Sequence, residues 1–291
     1  MNSENIRSNR KKYIKPAIVL LIVIALLLFC SYQNRHLETT YYTYKAEQFG
    51  ADLEGYRIVQ ISDLHNAKFG KHNQKLVDRV RECEPDMIVL TGDLVDSNHT
   101  NVDRAVQFVD EIVKICPVYY VTGNHEYWLE KSEYDELMDG LASAGAVILD
   151  DQVVEISRGD AKFRLVGLDD KNLADGTLGT LLNNDQNVAH EDSEKKEFTV
   201  VLAHEPQYLA RYAGIGVDLV LSGHAHGGQF RLPFVGGIVA PDQGFLPEYT
   251  AGEYYMNGTE MIVSRGLGNS VIPVRLFNYP EIVCVELVGK H

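Results

Sequence analysis

Leu221-Ser-Gly-His-Ala-His-Gly-Gly-Gln229 is the stretch that decides the fold, because two histidines stand one residue apart among glycines. The preceding Val217-Asp-Leu-Val-Leu221 is apolar except for Asp218, which predicts a short buried strand that ends just before the histidines. A loop bent by glycine can aim the imidazoles of His224 and His226 at one point. Imidazole is the commonest metal ligand, so a converging pair predicts further ligands elsewhere in the chain. Alone, the stretch is also compatible with a glycine-rich turn that exposes two solvated histidines.

Length, charge and cysteine usage restrict the class of protein. The 291 residues suffice for one large core or two modest ones. The net charge is −14, but five basic residues against one acidic residue in the first fifteen leave the remainder at −18. A negative net charge repels the phosphate backbone of a nucleic acid and disfavours a broad surface that binds it, so no nucleic-acid partner is predicted. The four cysteines, at positions 30, 83, 116 and 284, form no CxxC pair and indicate no disulfide framework.

An apolar run follows the basic N-terminal cluster. Residues 17–30 are uninterrupted apolar, a length that fits a signal-peptide core as well as a short membrane span. Tyr13 and Tyr32 bracket the run like interfacial anchors, and no small-x-small cleavage site follows it. We therefore favour an uncleaved single-span anchor over residues 14–32, with a removed signal peptide as the alternative. The basic tail, 1–13, then stays cytoplasmic, the rest lies outside, and the polar, tyrosine-rich residues 33–53 form a linker.

Polar residues of ligand type follow one predicted strand after another. The strand ends carry Asp63 and His65 after 56–61, Asp93 and Asp96 after 86–91, Asn124 and His125 after 118–122, and His204 after 198–203. Helical patterns between the first three strands, at 72–83 and 102–115, imply that these strands are parallel. The carboxyl ends of parallel strands share one edge of a sheet, so these side chains are predicted to gather there. Each strand end alone also fits a capping or solvated polar group.

The remaining chain shows weaker signals. A helix is predicted over 132–145, strands over 147–150, 153–156 and 163–168, an acidic surface insertion over 170–197, and closing strands of a second sheet over 261–264 and 282–287. After Gln229 the chain is rich in glycine and proline, and it carries the large residues Phe230, Leu232, Phe234, Phe245, Leu246 and Tyr249. This apolar collar either admits an acyl chain beside the histidines or simply packs a long connection against the sheet.

Taken in order, these blocks resemble the calcineurin-like metallophosphoesterases. The five blocks are Asp63-x-His65, Gly92-Asp93-x-x-Asp96, Gly123-Asn124-His125-Glu126, His204 and Gly223-His224-x-His226. The resemblance covers residues 56–228. The anchored N-terminus and the sequence after Ser222 look like the membrane-associated bacterial branch, which includes phosphodiesterases and UDP-2,3-diacylglucosamine pyrophosphatase-like enzymes. One departure is informative. Ser97 and Asn98 follow Asp96 where the protein serine/threonine phosphatases have Arg-Gly, so a phosphoprotein substrate is disfavoured.

The resemblance implies an α/β fold, a four-layer α/β/β/α sandwich over residues 54–291, with two divalent metal ions. The first ion would be bound by Asp63, His65 and His226, the second by Asn124, His204 and His224, with Asp93 bridging both. Nitrogen and oxygen ligands without thiolate suit Mn²⁺, Fe²⁺ or Zn²⁺. His125 would act as the leaving-group acid, and Asp96 would orient a histidine or the Gly92–Asp93 loop.

The predicted function is a membrane-anchored dinuclear-metal phosphoesterase. It would hydrolyse phosphodiester or pyrophosphate bonds, of a lipid or nucleotide-lipid substrate, by attack of metal-activated hydroxide. One alternative is a broad-specificity phosphomonoesterase of the cell envelope, and another is a non-catalytic phosphatase-like binding module. A binding module would show a lost ligand, and none is lost here. No protein partner is predicted, and the catalytic domain is expected on the extracytoplasmic side of the cell membrane.

Overall fold

Sixteen strands and seven α-helices are formed by the residues that the computed structural model describes, which are 3–46, 49, 51–173, 176–185, 197–269 and 272–289. The strands are β1 Glu38–Ala46, β2 Tyr56–Ile61, β3 Met87–Thr91, β4 Val118–Val121, β5 Val147–Ile148, β6 Gln152–Arg158, β7 Ala161–Gly167, β8 Thr199–Leu202, β9 Leu219–Ser222, β10 Arg231–Leu232, β11 Gly236–Gly237, β12 Val239–Ala240, β13 Gly244–Phe245, β14 Gly252–Met256, β15 Thr259–Val263 and β16 Glu281–Gly289. The helices are α1 Ser3–Gln33, α2 Gln74–Glu82, α3 Val102–Ile112, α4 Asn124–Tyr127, α5 Lys131–Ala144, α6 Thr177–Asp185 and α7 Leu209–Ile215.

Two six-stranded sheets form the centre of the molecule. Sheet A has the order β1-β16-β2-β3-β4-β5, and sheet B has the order β14-β15-β9-β8-β7-β6. Strands β2 to β5 are parallel to one another, as are β7, β8, β9 and β15. The parallel arrangement expected from the alternation of strands and helices is confirmed, so the carboxyl ends of these strands meet at one edge of each sheet.

Alternation of side chains along the central strands explains the layers. In β2, Ile58 packs in a core between the two sheets, whereas Val59 packs in a second core with residues of α2 and α3. In β8, Val200 joins the core between the sheets, and Val201 packs in a third core with residues of α6 and α7. Strands buried on both faces need apolar residues at nearly every position, which is the sequence pattern seen. Three apolar cores thus separate four layers, and the α/β/β/α sandwich is confirmed.

The N-terminal helix α1 stands apart from these layers. Its segment Lys15–Gln33 has a mean hydropathy of 2.4 and is long and apolar enough to cross a membrane, and only 6% of its most apolar window is buried. Its large apolar side chains are exposed, including Leu21 and Leu28, each at 66%. The apolar side chains of a helix in a soluble core pack against other parts of the protein, whereas those of α1 face outward.

Residues 38–46 correct the expected linker. They form β1, which pairs in parallel with β16 over nine residues, from Glu38 against Glu281 to Ala46 against Gly289. The alternating burial of β1 reflects an edge strand, with Tyr42 and Tyr44 turned toward the core between the sheets. Tyrosine and threonine favour strands, but the segment lacks a strongly apolar face, so its sequence does not stand out as a strand.

Two further expectations are modified. The strand predicted at 282–287 was assigned to the second sheet, but β16 lies in sheet A, between β1 and β2. The position is wrong because strand character does not by itself specify which sheet a strand joins. The acidic insertion expected over 170–197 lies partly outside the described residues. Within them it forms α6, whose Leu178 and Leu182 pack in the third core.

Candidate metal centre

The carboxyl ends of five strands deliver the predicted ligands to one place. In sheet A these strands are β2, β3 and β4, and in sheet B they are β8 and β9. Gln60 ties the two sheets together just below this point, because its Nε2 donates to Thr91 Oγ1 at 2.9 Å and to the Ser222 carbonyl at 2.8 Å. All the side chains predicted as ligands are buried except Asn124, which is half-buried.

One group of potential ligands consists of Asp63, His65, Asp93 and His226. Each offers one ligand atom, and these atoms lie within 4.8 Å of one another. His65 Nε2 is 3.1 Å from His226 Nε2 and 3.4 Å from Asp93 Oδ2. His226 Nε2 is 3.6 Å from Asp63 Oδ1. Two nitrogens and two carboxylates thus converge on one small volume.

The second group consists of Asp93, His204 and His224. His204 Nε2 lies 3.3 Å from Asp93 Oδ2, 3.2 Å from His224 Nδ1 and 3.2 Å from Asn124 Oδ1. Asp93 therefore belongs to both groups, and the same oxygen approaches a histidine of each. This is the geometry required of a carboxylate that bridges two cations.

The donor set fits divalent cations. His65 and His226 point their Nε2 atoms at each other, and their Nδ1 atoms are buried without a hydrogen-bond partner in the described part of the chain. Burial lowers the pKa of His65 to about 3, and burial and Arg275 hold the pKa of His226 well below its ordinary value. Both rings are therefore neutral near pH 7, the form in which imidazole binds a metal.

Asp93 and His204 behave as a mutually stabilised pair. Although burial acts against it, His204 lowers the pKa of Asp93 well below its ordinary value. Burial likewise opposes the charged form of His204, but Asp93 raises the pKa of His204 well above its ordinary value. A buried anion of this kind requires a positive partner, and a divalent cation can replace the histidine proton in that role.

The backbone around the ligands is held in a sparsely populated conformation. Five potential ligands have positive φ angles, namely Asp63 at 52°, His65 at 45°, Asp93 at 54°, His224 at 63° and His226 at 47°. Each such residue costs of the order of 1–3 kcal/mol, so other contacts must hold it in place. The Asp63 N–H donates to the Gly92 carbonyl, and the His65 N–H donates to the Asp93 carbonyl. Such strain is typical of functional sites.

Glycine is required at two positions beside the ligands because the chains approach closely. A Cβ at Gly123 would overlap the carboxylate of Asp93 and lie 2.9 Å from the His204 ring. A Cβ at Gly223 would overlap Ser62 and the carboxylate of Asp63. These glycines therefore provide the space in which the side chains from different strands meet.

His125 lies on the rim of the same cluster. Its ring is 4.5 Å from the His65 ring and 4.7 Å from the Trp128 ring, measured between centroids. The Ser97 N–H donates to His125 Nδ1 at 3.2 Å, so in the neutral ring the proton is on Nε2. Asp96 Oδ1 is 3.8 Å from Nδ1, which is longer than a hydrogen bond. Ser97, which the sequence marks only as a departure from Arg-Gly, thus makes the closer contact with this ring.

Comparison with known proteins agrees with this architecture. The model of the family described as "Calcineurin-like phosphoesterase" matches residues 56–228. The chain belongs to the calcineurin-like phosphoesterases. Members of this family use divalent metals, and the chain is accordingly a metal-dependent hydrolase of phosphoric esters. The two groups of ligand atoms described above provide a suitable metal-binding cluster.

Three bacterial relatives show how far the similarity extends. The chain is 34% identical to an uncharacterized metallophosphoesterase of Aquifex aeolicus, over 88% of this chain and 95% of that protein. It is 30% identical to the uncharacterized metallophosphoesterase YkuE of Bacillus subtilis, over 90% of both chains. It is 29% identical to the phosphodiesterase YaeI of Escherichia coli, over 80% of this chain and 82% of that protein.

Two carboxylates support this phosphoesterase centre without having been recognised from the sequence. Glu126 accepts backbone hydrogen bonds from Asp93 at 2.9 Å, Leu94 at 2.8 Å and Gly123 at 2.7 Å, so it joins the loops after β3 and β4. Burial and the nearby Asp93 raise the pKa of Glu126 to about 8, while these N–H donors favour its carboxylate. Its position directly after Asn124 and His125 was the available signal.

Asp242 is the second such carboxylate. Its Oδ2 lies 2.9 Å from His224 Nε2, on the side of the ring opposite to the nitrogen that faces His204. The contact with His224 holds the pKa of Asp242 below its ordinary value. Because Nε2 then carries the proton, Nδ1 presents a lone pair to the centre. No local sequence signal marked Asp242, which lies in the turn between β12 and β13.

Proposed function

We propose that this phosphoesterase is a membrane-anchored phosphodiesterase with a dinuclear metal centre. It hydrolyses phosphodiester or pyrophosphate bonds, and a lipid or nucleotide-lipid phosphate is the proposed substrate class. The observation that carries the dinuclear part is the position of Asp93, whose Oδ2 lies 3.4 Å from His65 and 3.3 Å from His204. The similarity to a relative named as a phosphodiesterase supports the diester specificity.

The proposed ligand assignment follows the two groups of side chains. Asp63, His65 and His226 bind the first ion, Asn124, His204 and His224 bind the second, and Asp93 bridges them. Oxygen and nitrogen ligands without thiolate are compatible with Mn²⁺, Fe²⁺ and Zn²⁺. When bound, such a pair of ions supplies a hydroxide near neutral pH and neutralises charge on the phosphoryl oxygens.

His125 has the proposed role of donating a proton to the departing oxygen. Ser97 holds Nδ1, and Trp128 packs on the ring, so the ring orientation is fixed from two sides. The proton on Nε2 is then the one that would be transferred to the leaving group. Asp96 stabilises this arrangement by accepting a hydrogen bond from Asn98 at 2.9 Å, which shapes the loop that carries Ser97.

Membrane attachment through residues 14–32 is part of the proposal. The exposed apolar surface of α1 supports it, as does the cluster of basic residues that precedes the apolar run. By the positive-inside rule the basic tail at 1–13 stays in the cytoplasm, and Lys15 lies at the cytoplasmic end of the span. The catalytic domain is then on the extracytoplasmic side of the cell membrane.

Substrate screening on full-length protein tests the proposed reaction. The protein is stripped of metal in detergent and reloaded with Mn²⁺, Fe²⁺ or Zn²⁺, and bis-p-nitrophenyl phosphate, p-nitrophenyl phosphate and a nucleotide-lipid pyrophosphate are compared. We expect turnover that chelation abolishes, with a diester or pyrophosphate preferred over the monoester. Preference for the monoester would contradict the proposed specificity, and no turnover with any metal would contradict the proposed activity.

The bridging assignment is tested by metal analysis of Asp93→Asn and His65→Ala. Asp93→Asn removes the shared charge, so both sites should lose metal, whereas His65→Ala should lose metal mainly from one. The amide retains an oxygen that can accept a hydrogen bond from the backbone N–H of His125, as Asp93 Oδ1 does at 2.9 Å in the native protein. The substitution therefore disturbs the surrounding backbone little. Full occupancy of both sites in the Asp93→Asn protein would exclude a bridging role.

A further inference from the structure

Three segments beside the metal centre expose large apolar side chains. Phe234 is fully exposed, Phe245 is 81% exposed, and Leu246 is 65% exposed. Val235 and Phe277 are also more than half exposed. We call these five residues the apolar lip. Isolated exposed apolar residues are ordinary, but a contiguous group marks a surface that contacts another apolar phase.

Backbone hydrogen bonds place the segments of the lip side by side. The Leu246 N–H donates to the Ile238 carbonyl at 2.9 Å, and the Ile238 N–H donates to the Phe230 carbonyl at 2.9 Å. Arg231 in turn donates its N–H to the Leu276 carbonyl at 2.9 Å. Neighbouring segments bonded in this way are about 5 Å apart, so the segments that carry Leu246 and Phe277 are separated only by those of Ile238 and Phe230–Arg231.

The lip is also joined to the end of α1. The ring of Phe29, inside the apolar run of α1, packs edge-to-face on Phe277 with centroids 5.9 Å apart. Asn34 donates its side-chain N–H to the Pro273 carbonyl at 2.8 Å and accepts the Arg275 N–H at 2.8 Å. The point at which the chain leaves the apolar helix is therefore fixed against one edge of the lip.

The same loops contact the metal centre from the other side. The Ile238 N–H donates to the Gly228 carbonyl at 3.1 Å, two residues after His226. Asp242, between Ile238 and Phe245 in the chain, contacts His224 at 2.9 Å. The end of α1, the lip and the proposed ligands thus form one connected region of the molecule.

We propose that the apolar lip enters the surface of the bilayer that α1 crosses, so that the metal centre acts on phosphoesters at the membrane interface. This inference rests on the membrane attachment proposed above, and it does not depend on which phosphoester bond is cleaved. A bilayer is favoured over a protein partner because the lip continues directly into the exposed apolar surface of α1 through the contact of Phe277 with Phe29. Exposed basic side chains near the same junction, Arg35 and Lys75, suit lipid phosphates.

Tryptophan quenching in the full-length protein tests the position of the lip. Phe234→Trp and Phe245→Trp are each placed singly in nanodiscs that hold one protein copy, with ordinary lipids or with lipids brominated on the acyl chains. The matched control is Val147→Trp, which is 42% exposed and lies on β5, at the edge of sheet A opposite to β1. The emission of Trp128 in the parent protein is subtracted in each case.

Loss of emission at positions 234 and 245 with brominated lipid, and none at position 147, is the expected result. Equal emission in both lipids at positions 234 and 245 would overturn the proposal. Shielding of these positions that depends on two copies per disc, and not on brominated lipid, would also overturn it and would indicate a contact between copies. The quenching does not require turnover, so it remains decisive even if the proposed activity is wrong.

A double variant, Phe234→Ser with Phe245→Ser, adds a functional readout. Burial of two phenyl rings in the interface should favour productive docking, so hydrolysis of a lipid phosphodiester in the bilayer should fall by about tenfold or more. Hydrolysis of soluble bis-p-nitrophenyl phosphate should not change, because the lip does not touch the proposed ligands. Equal losses on both substrates would overturn the proposal, since they would show a general structural effect.

Discussion

His125 illustrates how a single residue is prepared for its role by contacts that the sequence does not reveal. We expect His125→Ala to keep its metals and to slow hydrolysis of alkyl phosphodiesters by about 10²- to 10⁴-fold, the usual range for lost proton donation. Esters with a nitrophenol leaving group should lose less, because nitrophenolate departs without a proton. Steady-state rates on both ester types, with metal content measured alongside, check this. Equal losses would mean that His125 positions the phosphate instead.

Asp242 provides a second prediction for a single residue. Asp242→Asn should weaken metal binding at the His224 site by about 10- to 100-fold, because a carboxylate that orients a histidine ligand contributes on this scale. Competition with a chelator measures the affinity, and Glu248→Gln, which neutralises an exposed carboxylate in the segment after β13, serves as the control. An affinity unchanged in the Asp242 variant, or lowered equally in the control, would remove the positioning role.

The residues that recur at strand ends could be predicted, and the residues that support them could not. Asp63, His204 and His226 each follow an apolar strand, so the periodicity of the strand located them. Ser97 and Asp242 were missed because their contacts with histidines depend on how loops fold back in three dimensions. No spacing along the chain encodes such a contact.

At the scale of elements, the parallel strands and their helices followed from local pattern, whereas β1 did not. The pairing of β1 depends on β16, and the hydrogen-bonded side chains of Thr40 and Glu281 are 241 positions apart. The strand preference of residues 38–46 was visible, but nothing nearby in sequence could show the partner. For the same reason β16 was expected in the other sheet.

The contribution of β1 can be measured by truncation. We compare a chain that starts at residue 34 with one that starts at residue 54, the boundary suggested by the sequence. The shorter chain loses Tyr42, Tyr44 and Ala46 of β1, loses the buried Phe49 and Leu53 from the same core, and exposes the edge of β16. We expect the free energy of unfolding to fall by about 3 kcal/mol, which lowers the midpoint of thermal unfolding by roughly 6–12 °C. Identical midpoints would show that β1 is dispensable.

For the whole molecule, the distribution of charge predicts the orientation in the membrane. Five basic residues among the first fifteen precede the apolar run, and Lys and Arg beside a span favour the cytoplasmic side, so the catalytic domain should lie outside the cytoplasm. Protease added to intact protoplasts should remove the domain, and a cytoplasmic marker protein should survive as the control. A protected domain would reverse the orientation, and soluble protein that starts after residue 30 would replace the anchor with a signal peptide.

The strand order of sheet A also bears on biosynthesis. Since β16 lies between β1 and β2, neither of these early strands can complete its hydrogen bonds before residues 281–289 leave the ribosome. Until then β1 has no partner strand, and its unpaired edge follows α1 in the chain, where it can pair with other chains. We therefore expect this side of sheet A to close late in synthesis, because its pairing joins strands from the two ends of the chain.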